Sequence, residues 1–538
     1  MRRFARRFRL GGIYRLKKTI LAGASIVTLA IASPAMAQSN SSTIEQIGDG
    51  DIATVSQPGS GNTSEVTQDG LAIGAVDNIA NEATITQAGT GGFSEVVQTG
   101  DNTATVNQTA SAVGMNSELF QENAGGGQSN TAIVTQDGTG SGIGSGTGSL
   151  IDQGGTNGSV TVTQGAGTTD ALSIVIQSGD NTAATVTQIS GTGSVSTVSQ
   201  SGSSLQATVT QSGDGNVSET VQSGSLGRIV VNQNADNSNS SVTQSGDKAH
   251  AIVTQSGTGQ TAIIDQSSPL PSNPNVEAGA SIVQSGSNNS ADVNQSGTFG
   301  RRLYSQPNVG GLLQNDAPYA NVVQSGDANF ADIDQPGVSN GINVRQSGNR
   351  NRLTSLQTGE ETVHRTTQTG DDNSVIVTQA ALFDTLSTSS VDIDQIGDRN
   401  SVLLDQSGIG VPLGAVPRLI VFQRGDDNAV DAVQSGRGVT ADVEQIGNTN
   451  RAVVRQNAAS DLNLTTIDQR GDTNLAEVTQ DGPLNVARVF QTGDLNQSYI
   501  TQDGDAHRAF VDQGGVGDVS TITQSGSANR ATVNQNLP

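Results

Sequence analysis

The 538-residue chain contains no cysteine and no tryptophan, and its aromatic residues amount to 3%. Without cysteine there are no disulfides and no thiolate metal sites, so backbone pairing and packing must carry the stability. Hydrophobic residues make up only 33%, with 10 Phe, 4 Tyr, 3 Met and no Trp among them, which excludes a wide globular interior and leaves only a thin core. Proline is scarce at 12 and glycine abundant at 67, a balance that suits long backbone ladders interrupted by tight turns. Bases are few as well, 26 against 50 acids, for a formal charge of −24. A chain of that sign is not a natural partner for nucleic acid or an anionic membrane surface.

Residues 1–37 have the three parts of a secretory signal. Arg2, Arg3, Arg6, Arg7, Arg9, Arg15, Lys17 and Lys18 form a cationic leader, Thr19 to Ala32 an apolar stretch, and Ala35-Met36-Ala37 a small-x-small cleavage site. The apolar stretch is short for a bilayer span. The expectation is a removed signal peptide, export of the unfolded chain, and no membrane span in the mature protein.

From Gln46 to Gln535 a repeat dominates. Glutamine recurs at an eleven-residue spacing in 28 intervals, far too often for a disordered polar chain, so the spacing marks a structural unit. The longest runs are Gln200, Gln211, Gln222, Gln233, Gln244, Gln255, Gln266 and Gln469, Gln480, Gln491, Gln502, Gln513, Gln524, Gln535. The unit reads Q-x-G-x-x-N-x-A-x-V-x-Q, cleanest at Gln524-Ser-Gly526-Ser-Ala-Asn529-Arg-Ala531-Thr-Val533-Asn-Gln535. Gly beside Asp, Ser or Asn supplies a tight turn. The remainder alternates with period two, so Asn529, Ala531, Val533 and Gln535 face one way and Arg530, Thr532 and Asn534 the other. Two such strands joined by turns, roughly 22 residues, make one flat coil, and coils stack at ~4.8 Å. The predicted fold class is therefore all-β, a β-solenoid of two strands per coil.

An unpaired amide in the interior costs about 1–3 kcal/mol. A column of identical amides one strand spacing apart removes that cost, because each donates to one neighbour and accepts from the other. It also fixes register, since a slip of one residue turns Arg530 inward and Val533 outward. The ladder residues expected from the repeat are the Gln of the two runs above, Gln335, Gln346 and Gln357, and the Asn positions Asn329, Asn340, Asn351, Asn474, Asn485, Asn496 and Asn529.

The repeat resembles that of the curlin family of bacterial curli subunits. The resemblance covers roughly Thr43 to Gln535 and rests on the joint recurrence of Gln, Gly, Asn and Gln. It implies a β-solenoid subunit, secreted to the extracellular bacterial surface through an outer-membrane secretion channel. There it polymerises with itself and with other curli-type subunits into functional amyloid fibres, fimbria-like pili for biofilm matrix and cell adhesion.

The spacing is interrupted near 109–152, 267–283, 307–323, 380–394 and 407–422, read either as loops bulging from turns or as boundaries between solenoid blocks. Candidate chemistry is sparse. Gly138 to Gly148 lacks the lysine and following helix of a phosphate loop, and His250, His364 and His507 lie far apart, so neither a cofactor nor a metal site is expected. Acid pairs Asp332/Asp334, Asp392/Asp394 and Asp442/Glu444 lie two apart on one strand face, where solubility and resistance to lateral pairing account for them better than Ca²⁺. Outward Thr pairs such as Thr161/Thr163, Thr185/Thr187 and Thr208/Thr210 alternate along the chain with acids and Arg, which argues against a flat ice-matching face. No nucleophile, base and orienter recur together, so no catalytic residues are assigned and no enzyme is expected. The charge is uneven: Gln38 to Gly300 holds 22 acids against Arg228 and Lys248, whereas Arg301 onward holds 28 acids and 16 Arg. In the latter part, rung-to-rung Arg–acid pairs are expected. The repeat begins by Thr43 and runs to Gln535, so uncapped ends and head-to-tail stacking are expected, with a monomeric solenoid adhesin as the alternative.

Overall fold

The computed structural model describes residues 39–48, 50–70, 80–123, 129–140, 148–267, 278–297, 318–380, 389–407, 417–457 and 461–535. Within them the chain forms forty strands, from β1 (Ser41–Ile47) and β2 (Ile52–Ser56) to β39 (Val519–Ser527) and β40 (Arg530–Gln535), and no helix. Each strand pairs in parallel with the strands two before and two after it, the first two and last two having one such neighbour each. Odd-numbered strands thus build one twenty-stranded sheet, sheet A, and even-numbered strands a second, sheet B. This is the expected β-solenoid with two strands per coil.

Alternation decides the interior. In a strand such as Ala-Ala-Thr-Val-Thr-Gln at Ala183–Gln188, Ala184, Val186 and Gln188 are buried while Thr185 and Thr187 are not. The core is a single chain of small and branched side chains running the length of the stack, with Ala53, Val209, Ile282, Leu353 and Val511 among its members. The turns explain the glycine content. At Gly370, with φ +114°, an added Cβ would lie 2.2 Å from the carbonyl oxygen of Gly397 in the next coil, so only glycine permits coils to stack at strand spacing there.

Strands enter every stretch where the Gln spacing breaks. Residues 109–152 contain β7 (Asn116–Glu122), β8 (Asn130–Gln136) and β9 (Gly148–Gln153), all in register with their neighbours. Likewise β20 begins at Ala278, β22 at Tyr319, β28 at Ser390 and β30 at Arg418. Pairing resumes as soon as the inward alternation does, before the next Gln is reached. Residues 124–128, 141–147, 268–277, 307–317, 381–388 and 408–416 of those stretches lie outside the described residues, as do the expected signal peptide and its Ala35 and Ala37 cleavage site. Among the described residues no helix is long and apolar enough to cross a membrane.

Candidate functional site

Because successive Gln of the repeat fall on opposite sheets, the amide columns are built from residues two repeats apart. In sheet A the column runs without a break from Gln46 through Gln68, Gln200, Gln222, Gln244, Gln266, Gln335, Gln357, Gln480 and Gln502 to Gln524. In every step the Nε2 of one Gln donates to the Oε1 of the next at 2.7–3.1 Å. The sheet B column runs from Gln57 through Gln211, Gln233, Gln255, Gln346, Gln469, Gln491 and Gln513 to Gln535 in the same manner. All thirty-eight bonds point the same way, donor toward the N-terminal end and acceptor toward the C-terminal end. The second amide hydrogen is commonly spent on a carbonyl of the opposite strand, as from Gln211 to Val195 at 2.9 Å.

The Asn positions form a second kind of column at strand starts, continuous in sheet A from Asn289 to Asn496. Asn351 donates from Nδ2 to Asn329 Oδ1 at 3.0 Å and to the Gly370 carbonyl at 2.7 Å, while its own Oδ1 accepts the backbone N–H of Asn373. Asn474 and Asn496 continue this sheet A column. In sheet B the positions are more varied. Asn340 receives Thr362 from both backbone and hydroxyl, and Asn485 receives the N–H of His507. His507 thus occupies an Asn place, its Nδ1 accepting the N–H of Asn529 at 3.2 Å. Substituting His507→Asn is expected to leave protection of the Asn529 amide within about twofold, whereas His507→Leu strands that donor and costs about 1–2 kcal/mol locally. Hydrogen exchange at Asn529 distinguishes the two.

Three features escaped the eleven-residue reading. A column of nine serines, from Ser42, Ser64 and Ser94 to Ser240, fills one inward position of sheet A. It is legible only at a 22-residue period. His364 is fully buried in the core line, bonded to Ser355 and Thr366. The Thr pairs are sorted by the fold: β4 (Glu82–Gln87), β10 (Ser159–Thr169), β12 (Ala183–Thr192) and β14 (Gln206–Ser212) all lie in sheet B, so Thr84/Thr86, Thr161/Thr163, Thr185/Thr187 and Thr208/Thr210 share one outer face while the glutamates between them in sequence, Glu95, Glu118 and Glu122, go to sheet A.

The acid pairs meet arginine or one another. Asp392 lies 3.6 Å from Arg365, Glu444 3.5 Å from Arg470, and in the turns Arg350 and Arg399 form two-pronged pairs with Asp372 and Asp427. Among the described residues no group of three or more His, Asp or Glu is arranged to hold a metal ion. On sheet A, Glu95 stands between Glu65 and Glu118, and Asp292 beside Asp332, Asp265 and Asp334. Partial burial and then like-charge neighbours raise the carboxyls of Glu95 and Asp292 above their ordinary values. A carboxyl raised in the folded state binds its proton there first, so its strand gains stability as pH falls from neutral through that raised value. Hydrogen exchange of residues 93–122, Ser290–Gln295 and Phe330–Asp334 should therefore slow, relative to the intrinsic rate, on mild acidification.

No curated protein matches the chain. The family model described as the curlin associated repeat matches residues 38–70, 425–457 and 485–515. These segments hold the same turn, inward alternation and Gln column as the described coils between them, and the chain carries curlin-associated repeats.

Proposed function

We propose that the chain is a secreted structural subunit that assembles head-to-tail with further copies into curli-like extracellular amyloid fibres, serving biofilm matrix and adhesion at the bacterial surface. The observation that carries this reading is the polarity of the two Gln columns. In the first described coil the Oε1 atoms of Gln46 and Gln57 have no donor among the described residues. In the last, Gln524 and Gln535 each spend Nε2 on one backbone carbonyl only among the described residues, at 3.1 and 3.2 Å. One end accepts where the other donates, and among the described residues β1, β2, β39 and β40 each pair on one side only. A second copy stacked in the same direction continues both amide columns and both backbone ladders. Other curli-type subunits and an outer-membrane channel are the proposed partners, and the chain is assigned no catalytic role.

The test is a thioflavin time course on residues 38–538 diluted from denaturant, with electron microscopy at the plateau. A lag, then growth that seeds shorten, supports assembly. A chain that folds at once, stays monomeric at high concentration and ignores seeds overturns it in favour of a monomeric adhesin.

A further inference from the structure

At the C-terminal end, the outer face of sheet B carries a groove of about 540 Å³ lined by Arg488, Arg508 and Arg530 around Phe510, with Leu464 and Val486 at its edge. The three arginines come from three consecutive rungs, β36 (Val486–Thr492), β38 (Arg508–Gln513) and β40. All three are exposed and none has an ion-pair partner among the described residues, although Arg350, Arg365, Arg399, Arg455 and Arg470 all do. Arg508 and Arg530 stand directly above one another, like charges at a strand spacing of ~4.8 Å, an arrangement that costs stability unless anions meet it. Phe510 is the apolar floor, in ring contact with Phe490 at 5.6 Å.

At the N-terminal end the outer face of sheet A has the opposite character. Glu65, Glu95 and Glu118 form one straight column over three consecutive rungs, β3 (Thr63–Asp69), β5 (Phe93–Thr99) and β7. Phe93, Val97 and Phe120 flank the column on the same rungs. The two patches match in rung count and in carrying apolar groups beside the charges; Arg508 and Arg530 are in column like the glutamates, while Arg488 stands two residues along its strand, in register with Phe510. They also lie on opposite faces of the flat coil and at opposite ends of the stack.

We infer that the Arg488–Arg508–Arg530 groove is a lateral docking surface for a second copy of this chain, taking that copy's Glu65–Glu95–Glu118 column. Sheet B of one solenoid packs on sheet A of the next, each glutamate entering between arginines and the phenylalanine-bearing flanks closing on Phe510. Because the patches lie at opposite ends, neighbouring solenoids are staggered, overlapping end to end side by side. Such docking ties neighbouring stacks together and relieves like-charge repulsion on both faces at once. It does not depend on axial growth, since it uses outer faces and leaves the edge strands free.

The test uses three full-chain triple variants, all at outward positions: Arg488→Glu/Arg508→Glu/Arg530→Glu, Glu65→Lys/Glu95→Lys/Glu118→Lys and, as control, Asp265→Lys/Asp292→Lys/Asp332→Lys. Lateral association is read at low salt by sedimentation and by fibre width in electron micrographs, axial growth by seeded thioflavin elongation, and folding by circular dichroism. The arginine and glutamate triples should each weaken lateral association by at least about tenfold, and an equimolar mixture of the two should restore it. Added salt should abolish it, and elongation should not change. The proposal is overturned if the arginine triple associates like the parent, if the mixture of folded variants fails to associate, or if the aspartate triple has the same effect. Loss of seeded elongation in the parent chain itself would count against the assembly reading and not against the docking surface.

Discussion

Replacing Gln211 by leucine is expected to lower the hydrogen-exchange protection of β12, β14 and β16 (Arg228–Asp236) by about a hundredfold, while Thr210→Ala, one residue away, changes it by less than about threefold. Gln211 is fully buried: it accepts from Gln188 at 3.0 Å and donates to Gln233 at 2.9 Å and to the Val195 carbonyl at 2.9 Å, with the Asn216 carbonyl a longer fourth partner at 3.4 Å. Leucine fills most of the same space, so the loss is chiefly polar. The Gln188 amide loses its acceptor, and Gln233 Oε1 and the Val195 carbonyl lose their donor. Each stranded group costs about 1–3 kcal/mol. Taking the low end for each gives about 3 kcal/mol, or a hundredfold. In a solenoid each coil touches only its neighbours, so the loss stays within a few coils and the distant β34 (Leu464–Arg470) should exchange as before. Thr210 points outward and makes no comparable contact, and surface changes of that kind stay within about 0.5 kcal/mol. Unchanged protection in Gln211→Leu would mean that the amide column is filler and that the backbone ladder alone holds register.

The same comparison shows which parts of the molecule are visible in one dimension. The turn, the strand alternation and the Gln position repeat every eleven residues because both halves of a coil obey the same steric rules, and that period exposes them. What distinguishes one sheet from the other repeats every 22 residues and is hidden by the shorter period. Ser64, Ser94 and Ser117 belong to one column, yet the equivalent place in the next strand, in sheet B, is held each time by alanine: Ala83, Ala104 and Ala132. The Thr pairs and the glutamates are intermixed in sequence for the same reason, and only the assignment of alternate strands to opposite sheets separates Thr84 from Glu95. Interruptions such as 109–152 looked longer than they are because Gln was the marker, whereas pairing depends on the inward alternation that β7 and β9 retain. His364 and His507 were read as isolated polar residues. Their roles follow from position in the alternation, which places His364 among the inward aliphatic residues and His507 in the Asn column.

His364 carries the second large prediction. It lies between Ile342 and Val391 in the interior of sheet B, with no exposed surface, its Nδ1 2.9 Å from Ser355 Oγ and its Nε2 2.6 Å from Thr366 Oγ1. Around this three-residue polar island the core is aliphatic, with Ile333, Val344, Val377 and Ile393 on the adjoining rungs. A charged imidazole has no place there, and burial pushes its pKa down to about 3. The unfolded chain binds a proton near the ordinary value of 6.5 and the folded chain does not, so local stability is complete above that value. It falls as pH drops from 6.5 and levels off only below about 3. Exchange of β25 (Arg352–Gln357) and β26 (Val363–Thr369), corrected for intrinsic rate, should therefore quicken on acidification, opposite in sign to the glutamate and aspartate columns of sheet A. His364→Ala should cost about 2–4 kcal/mol at neutral pH, from the cavity and from two hydroxyls left without a partner. The triple change His364→Val, Ser355→Ala, Thr366→Val replaces the island with the groups its neighbours already use, and should recover parent protection at neutral pH while removing the acid loss. The parent-minus-triple difference isolates the imidazole from nearby Asp394, whose carboxyl is raised chiefly by burial and responds in the opposite direction. If the triple retains the acid sensitivity, that sensitivity arises outside the island and His364 is a core filler whose protonation the fold tolerates.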